Sequence, residues 1–183
     1  GPDHVVLAAG MLAAAPRPMR MIAMIETAAA LPRMEAIARA SPLVMGLLIG
    51  AEDLAAECNA ASDDDLIVLA KRQMVLAAYA AGVAPFGTLG TVADYRDPER
   101  VRALVARSKR SGLVGATCIH PALVPVLNEG FAPGAEEVDL ARRQLAAAEA
   151  AAREGRGSFS VDGRMVDEPI LIRARRVVAM AGR

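Results

Sequence analysis

The feature that most constrains this chain is an alternation of short apolar segments with segments of helical periodicity. Three mainly apolar segments predict buried strands: residues 19–25, Val44–Ile49, which is apolar throughout, and 114–119. Residues 83–89 predict a weaker strand because Pro85 and glycine interrupt the run. Continuous apolar strands that alternate with helices indicate an α/β fold with a parallel sheet covered by helices.

The helices expected between and after these strands follow from apolar spacing and from end signals such as Gly82 and the Asp97-Pro98 pair. They cover residues 5–15, 33–40, 63–81, 98–109, 122–128 and 136–153, with a last helix after Asp167. Residues 158–166 predict a small hairpin that turns at Asp162 and Gly163.

Four strand-helix units fit either a small open doubly wound sheet or about half of a (β/α)8 TIM barrel, which typically needs about 250 residues. The sequence begins in a helix with no strand before it, so we expect a TIM barrel that lacks its first strands in this chain. The expected organisation is a partial barrel over residues 1–130 and a C-terminal helical extension over 131–183.

Composition and charge exclude several classes of protein. The formal net charge is zero and the charged residues are interspersed, so no basic stripe for nucleic acid is expected. No apolar run approaches the roughly 20 residues of a membrane helix. Cys58 and Cys118 form no CxxC motif, which predicts buried packing residues and a cytoplasmic location. No glycine-rich nucleotide motif or nucleophile elbow is present.

Acidic residues directly follow two predicted neighbouring strands. Glu26 follows the first strand, and Glu52 and Asp53 follow the second. The carboxyl ends of parallel strands meet at one edge, where ligands bind in such folds. A site with oxygen ligands only suits a hard cation, so Glu26 and Asp53 predict a Mg²⁺ site.

Structural alternatives exist for each of these residues. Glu26 and Asp53 can instead cap the helices that follow them. Asp167, which precedes Glu168 and Pro169, has the pattern of a helix N-cap, and His120 before a proline favours a hydrogen-bonded structural role. Five arginines fall on helix faces and are most simply solvated or paired surface residues: Arg142, Arg143, Arg173, Arg175 and Arg176.

Taken in order, four segments resemble a known family. They read MIETA at 24–28, LIGAEDLA at 48–55, IHP at 119–121 and DGRMVDEP at 162–169. In this order and at these separations they resemble the citrate lyase β-subunit-like branch of the HpcH/HpaI aldolase superfamily, which includes malyl-CoA and citramalyl-CoA lyases. The resemblance covers essentially the whole chain.

The resemblance implies a Mg²⁺-dependent (β/α)8 barrel. Glu26 falls on the family's first metal-ligand position and Asp53 on the second. The backbone around Ala51 and Glu52 falls where the family holds the substrate carboxylate. Asp167 falls on the acidic residue that the family delivers into a neighbouring subunit's active site, which implies a homo-oligomer, a trimer or a multiple of one.

The implied function is a carbon-carbon lyase that cleaves or forms a 3-hydroxyacyl-CoA thioester such as malyl-CoA, citramalyl-CoA or citryl-CoA. Its partners would be an acyl-CoA and a small hydroxy or keto acid. One alternative is a CoA-independent 2-keto acid aldolase of the same superfamily, against which the DGRMVD segment argues. The other is a non-catalytic accessory or binding protein, because no residue here matches the family's active-site Arg. The segment at 58–62 also departs from the loop usual in relatives, which affects the expected substrate contacts.

Overall fold

The computed structural model describes residues 1–91, 96–156 and 158–182 of the chain. The chain divides into two compact units, Gly1–Phe131 and Ala132–Arg183. In the first unit the strands are β1 (Met21–Ile25), β2 (Val44–Ile49) and β3 (Ala84–Pro85). Its helices are α1 (Pro2–Ala13), α2 (Met34–Arg39), α3 (Ala51–Glu57), α4 (Asp65–Ala81), α5 (Pro98–Arg110) and α6 (Leu123–Phe131), with a 3₁₀ helix at Ala28–Arg33.

The three strands of the first unit form one parallel sheet in the order β1-β2-β3. Ile25 pairs with Ile49 at the carboxyl ends of β1 and β2, and Leu47 pairs with Pro85. The prediction of a parallel α/β sheet is therefore confirmed. The described residues form an open three-stranded sheet and not a closed barrel.

The core of the first unit lies between the sheet and its covering helices. Ile25 and Leu47 from the sheet and Ile67 and Met74 from α4 are at most 1% exposed. Helix α4 begins where the Asp64 carboxylate accepts the Leu66 N–H at 2.9 Å. It ends at Gly82, whose φ of +74° is costly for residues with a side chain. Both ends agree closely with the prediction.

The predicted strand at 114–119 is not formed. Two backbone hydrogen bonds join this segment to β3 and its continuation, from Val114 N–H to Pro85 O at 3.0 Å and from Gly87 N–H to Gly115 O at 2.8 Å. A regular parallel ladder that contains the first bond would have Gly87 N–H donate to Val114 O, so the bond to Gly115 O is one residue out of register. The ladder stops there, and β3 itself has only two residues.

The second unit contains a helical pair and a hairpin: α7 (Ala135–Arg153), β4 (Phe159–Val161), β5 (Arg164–Val166) and α8 (Glu168–Ala181). The predicted turn is confirmed, since Asp162 and Gly163 have φ values of 52° and 73°, as a two-residue hairpin loop requires. Arg143 of α7 donates from Nη1 to both carboxylate oxygens of Asp162, at 2.7 and 2.8 Å.

Other predictions need smaller corrections. Helix α1 ends at Ala13 and not at residue 15, and α3 was not expected at all. Cys58 and Cys118 are free thiols that pack against the core but are half-buried, whereas full burial was expected. Within the described residues, every helix is too short or too polar to cross a membrane.

Candidate functional site

The side chain of Glu26 lies at the carboxyl edge of the sheet, immediately after β1. The neighbouring strand ends beside it, where Gly50 N–H donates to Ile25 O at 2.9 Å. A Cβ placed on Gly50 would lie 2.5 Å from Glu26 Cγ and 2.8 Å from Glu26 Oε1. The half-buried Glu26 side chain therefore crosses from the end of β1 to the end of β2, as the strand-end pattern predicts.

The first turn of α3 supplies the other predicted residues. Gly50 is the N-cap of α3, and Ala51, Glu52 and Asp53 follow as its first turn. The exposed carboxylates of Glu52 and Asp53 suit the positive end of this helix, and the amides of a first turn have no acceptor within the helix. The buried Leu54 fixes this turn to the core. The sequence from 50 to 54 thus places polar groups directly beyond the end of β2.

The capping alternative applies differently to the three predicted carboxylates. The N-cap positions after β1 and β2 are Thr27 and Gly50, so neither Glu26 nor Asp53 occupies a cap. Asp167 is the N-cap of α8, and its Oδ1 accepts the Ile170 N–H at 3.3 Å. Asp167 lies in the second unit, whereas Glu26, Ala51, Glu52 and Asp53 share the carboxyl edge of the sheet in the first.

The chemistry of this edge fits a magnesium ion. Over residues 1–91, 96–156 and 158–182, no group of three or more His, Cys, Asp or Glu side chains forms a closed metal cage. Mg²⁺ does not require one, because it is commonly held by one or two carboxylates while water and substrate oxygens complete the octahedron. Glu26 and Asp53 are hard oxygen donors, and the absent side chain of Gly50 leaves the space that the Glu26 carboxylate occupies.

His120 has a structural contact of the kind expected from its sequence context. Its Nδ1 accepts the Ala122 N–H at 3.2 Å, just before α6 begins. The five predicted surface arginines are all exposed. Arg143 pairs with Asp139 and Asp162, and Arg175 pairs with Glu168 at 2.6 Å.

Sequence reasoning missed Lys71, which lies in α4 and is only 6% exposed. Its Nζ donates to Gly90 O at 3.1 Å. Burial lowers the pKa of Lys71 below its usual value, and the nearby Glu52 carboxylate offsets part of that decrease. A signal was present, because position 71 falls on the same helical face as the buried Ile67, Met74 and Ala78.

Comparison with known proteins gives consistent results. Residues 9–121 match the family model described as HpcH/HpaI aldolase/citrate lyase. The citrate lyase subunit beta of Escherichia coli is 35% identical over 163 residues, which are 88% of this chain and 53% of that protein. The (3S)-malyl-CoA thioesterase of Cereibacter sphaeroides is 35% identical over 161 residues, 87% of this chain and 55% of that protein.

A solved structure is similar over almost the whole chain. It is CitE from Mycobacterium tuberculosis, in complex with magnesium, acetoacetate and coenzyme A, with a TM-score of 0.72 and 32% identity. The similarity covers 96% of this chain and 65% of that one. This chain spans about half the length of the two relatives named above. Because the family model matches well over half of its residues, the chain belongs to the HpcH/HpaI aldolase/citrate lyase family.

Proposed function

We propose that this chain carries the metal-binding part of a Mg²⁺-dependent carbon-carbon lyase that acts on a 3-hydroxyacyl-CoA thioester. The observation that carries the proposal is the Glu26 side chain over Gly50, beside the α3 turn that bears Asp53. Membership of the family supports it. Further support comes from the similar CitE structure, which contains magnesium, acetoacetate and coenzyme A.

Glu26 and Asp53 would hold the metal ion in this proposal. Bound Mg²⁺ supplies Lewis-acid polarisation of the hydroxyl and carboxylate oxygens of a hydroxy acid. The first-turn amides at Ala51 and Glu52 would orient the substrate carboxylate, because they have no acceptor within α3 and lie at the positive end of the helix. Fixing that carboxylate orients the carbon-carbon bond that breaks.

Asp167 would act as the acid or base at the acetyl methyl carbon, which is the α-carbon of the acyl-CoA thioester. Its carboxylate is exposed, so it is accessible to a substrate while Oδ1 accepts the amide at the start of α8. We propose that it acts in the site of a neighbouring copy, which makes the active protein a homo-oligomer, a trimer or a multiple of one. The molar mass in solution, measured by light scattering after gel filtration, tests this oligomeric state.

The experiment that tests the function compares thioesters with free acids. Purified protein is incubated with malyl-CoA, citramalyl-CoA or citryl-CoA, and separately with free 4-hydroxy-2-oxo acids, in Mg²⁺ and in EDTA. We expect the carbon-carbon bond of a thioester substrate to be cleaved in Mg²⁺ only. Chromatography of the acyl-CoA product measures this cleavage. Preferential cleavage of the free keto acids would establish a CoA-independent aldolase. Magnesium binding without turnover of any substrate would establish an accessory binding protein.

A further inference from the structure

Buried polar side chains are concentrated on one loop of the first unit, residues 88–90, which follows β3. Among the residues that the structure describes, four polar or charged side chains are buried: Ser41, Lys71, Thr88 and Ser108. Three of these four, all but Ser41, make hydrogen bonds to the backbone of the loop. Because burial of a polar group is costly unless it is hydrogen-bonded, these side chains and the loop depend on each other.

Two of the bonds attach the loop to neighbouring helices. The Lys71 ammonium on α4 donates to Gly90 O at 3.1 Å, and the Ser108 hydroxyl on α5 accepts the Leu89 N–H at 3.0 Å. The third bond lies within the loop, from the Thr88 hydroxyl to Gly90 O at 3.0 Å. Two helices therefore hold two consecutive residues of the loop.

The loop is part of the wall of a cavity at the carboxyl ends of β2 and β3, with a volume of about 140 Å³. Thr88 and Gly90 line this cavity, and so do Ala51 and Glu52 in the first turn of α3. The side chain of Leu89 is instead buried in the core. A displacement of the loop would therefore change the space beside the α3 turn.

We propose that Lys71 is a positioning residue that holds loop 88–90 in place and thereby sets the width of the substrate site beside α3. The inference rests on the proposed function for the identity of that site. Lys71 acts through Gly90, which has no side chain of its own with which to anchor the loop. Replacement of a buried charge by an apolar side chain is often stabilising, so stability alone does not account for a lysine here. A charge-assisted hydrogen bond to the loop does account for it.

The first test does not depend on turnover. Hydrogen exchange of individual amides is measured by NMR, without metal or substrate, in the native protein and in Lys71→Met. We expect the Leu89 amide to exchange about tenfold faster in the variant because the loop opens locally, whereas the Leu47 amide in β2 does not exchange faster. Arg72→Met is the matched control, since Arg72 is the next residue of α4 and is exposed. Unchanged exchange of Leu89 in Lys71→Met would overturn the proposal.

The second test measures steady-state cleavage of the thioester substrate in Mg²⁺. Loss of a wall that contacts the ground state and the transition state equally raises KM and leaves kcat unchanged. Lys71→Met should therefore raise KM about fivefold at nearly constant kcat, and Lys71→Arg, which can still donate to Gly90 O, should restore most of the native KM. An unchanged KM in Lys71→Met, or an equal increase in both variants, would overturn the proposal. Native protein that cleaves no thioester would contradict the proposed function instead, and the exchange measurement alone would then decide the role of Lys71.

A second variant keeps the proposal testable if Lys71→Met does not fold. Ser108→Ala removes the attachment of Leu89 to α5 with little change in volume, and it should accelerate exchange of the Leu89 amide and raise KM in the same way. Its matched control is Ser41→Ala, because Ser41 is also buried but bonds only to the nearby Leu43 N–H. Native exchange and native KM in Ser108→Ala would show that the loop is not held by these side chains.

Discussion

The side chain of Glu26 fills the space that a side chain at position 50 would need. A Cβ at Gly50 would lie 2.5 Å from Glu26 Cγ and 3.1 Å from Glu26 Cδ. The φ of Gly50 is −78°, which any residue adopts readily, so backbone conformation does not demand a glycine here. The glycine is required by the close approach of Glu26, and the position of the carboxylate depends on it.

Replacement of Gly50 by alanine is expected to weaken magnesium binding without unfolding the protein. The atoms that a methyl group would meet belong to the flexible Glu26 side chain, which can rotate away and carry its carboxylate with it. Groups that orient metal ligands typically change metal affinity by about tenfold or more when they are altered. Calorimetric titration with MgCl₂ and thermal unfolding measure the two effects.

The matched control for this prediction is Gly10→Ala on α1, where no atom lies within 4 Å of the new methyl group. We expect that variant to bind magnesium as the native protein does. If Gly50→Ala also retained full magnesium affinity, the observed position of Glu26 would not be the one that binds metal.

Removal of either proposed ligand charge is expected to weaken magnesium binding strongly. Glu26→Gln and Asp53→Asn preserve side-chain size but replace an anionic oxygen donor with a neutral amide, which is a poor ligand for a hard cation. The affinity for Mg²⁺ should fall by at least tenfold in each. Glu35→Gln is the matched control, because Glu35 is an exposed carboxylate on α2 that pairs with Arg39. Native affinity in Glu26→Gln or Asp53→Asn would reject that residue as a ligand.

The substitution Asp167→Asn distinguishes a helix-capping role of Asp167 from a role in acid-base chemistry. Asparagine caps a helix about as well as aspartate, so Asp167→Asn should leave the free energy of unfolding nearly unchanged, whereas Asp167→Ala should lower it by about 1 kcal/mol. If the carboxylate transfers a proton, the kcat of Asp167→Asn for carbon-carbon cleavage of the thioester substrate should fall at least about 100-fold.

Asp64→Asn is the control for this substitution, because Asp64 caps α4 in the same way. It should retain both stability and turnover. Full turnover by Asp167→Asn would leave helix capping as the role of Asp167.

Local signals in the sequence predicted much of this fold. The fully apolar run at Val44–Ile49 is β2 at the predicted bounds, and Gly82 ends α4 because it adopts a positive φ. Helix α3 could not be predicted in this way, since only Leu54 and Ala55 of its seven residues are buried, too few to show a period. The strand at 114–119 was predicted wrongly because its hydrogen bonds to residues 85 and 87 are one residue out of register, and the apolar run alone does not determine its register with a segment far away in the sequence.

The site was predictable to the extent that strand order determines it. Glu26 and Asp53 follow neighbouring parallel strands, so their shared edge follows from topology. The need for Gly50 could not be predicted, because it arises from a side chain of the adjacent strand. The burial of Lys71 could be inferred from its helical face, but its contact with Gly90, 19 residues later in the chain, could not.

The burial of Lys71 is also expected to reduce stability in a pH-dependent way. Its folded-state pKa is lowered from 10.5 mainly by desolvation, so the folded state binds fewer protons than the unfolded state between the lowered value and 10.5. Stability therefore rises with pH across this window as the buried amine becomes neutral. Below the window the charged amine carries its full desolvation cost, and above 10.5 it is neutral in both states.

Lys71→Met should therefore be more stable than the native protein at pH 7.5, by about 1 kcal/mol, because it removes a buried charge while the Thr88 hydroxyl still donates to Gly90 O. The difference should shrink when urea unfolding is repeated at pH 10, since a larger fraction of the native amine is neutral there than at pH 7.5. Lys109→Met measured at both pH values corrects for general effects of alkali. A variant less stable than the native protein at pH 7.5 would mean that the Gly90 contact outweighs desolvation and that Lys71 primarily supports the fold.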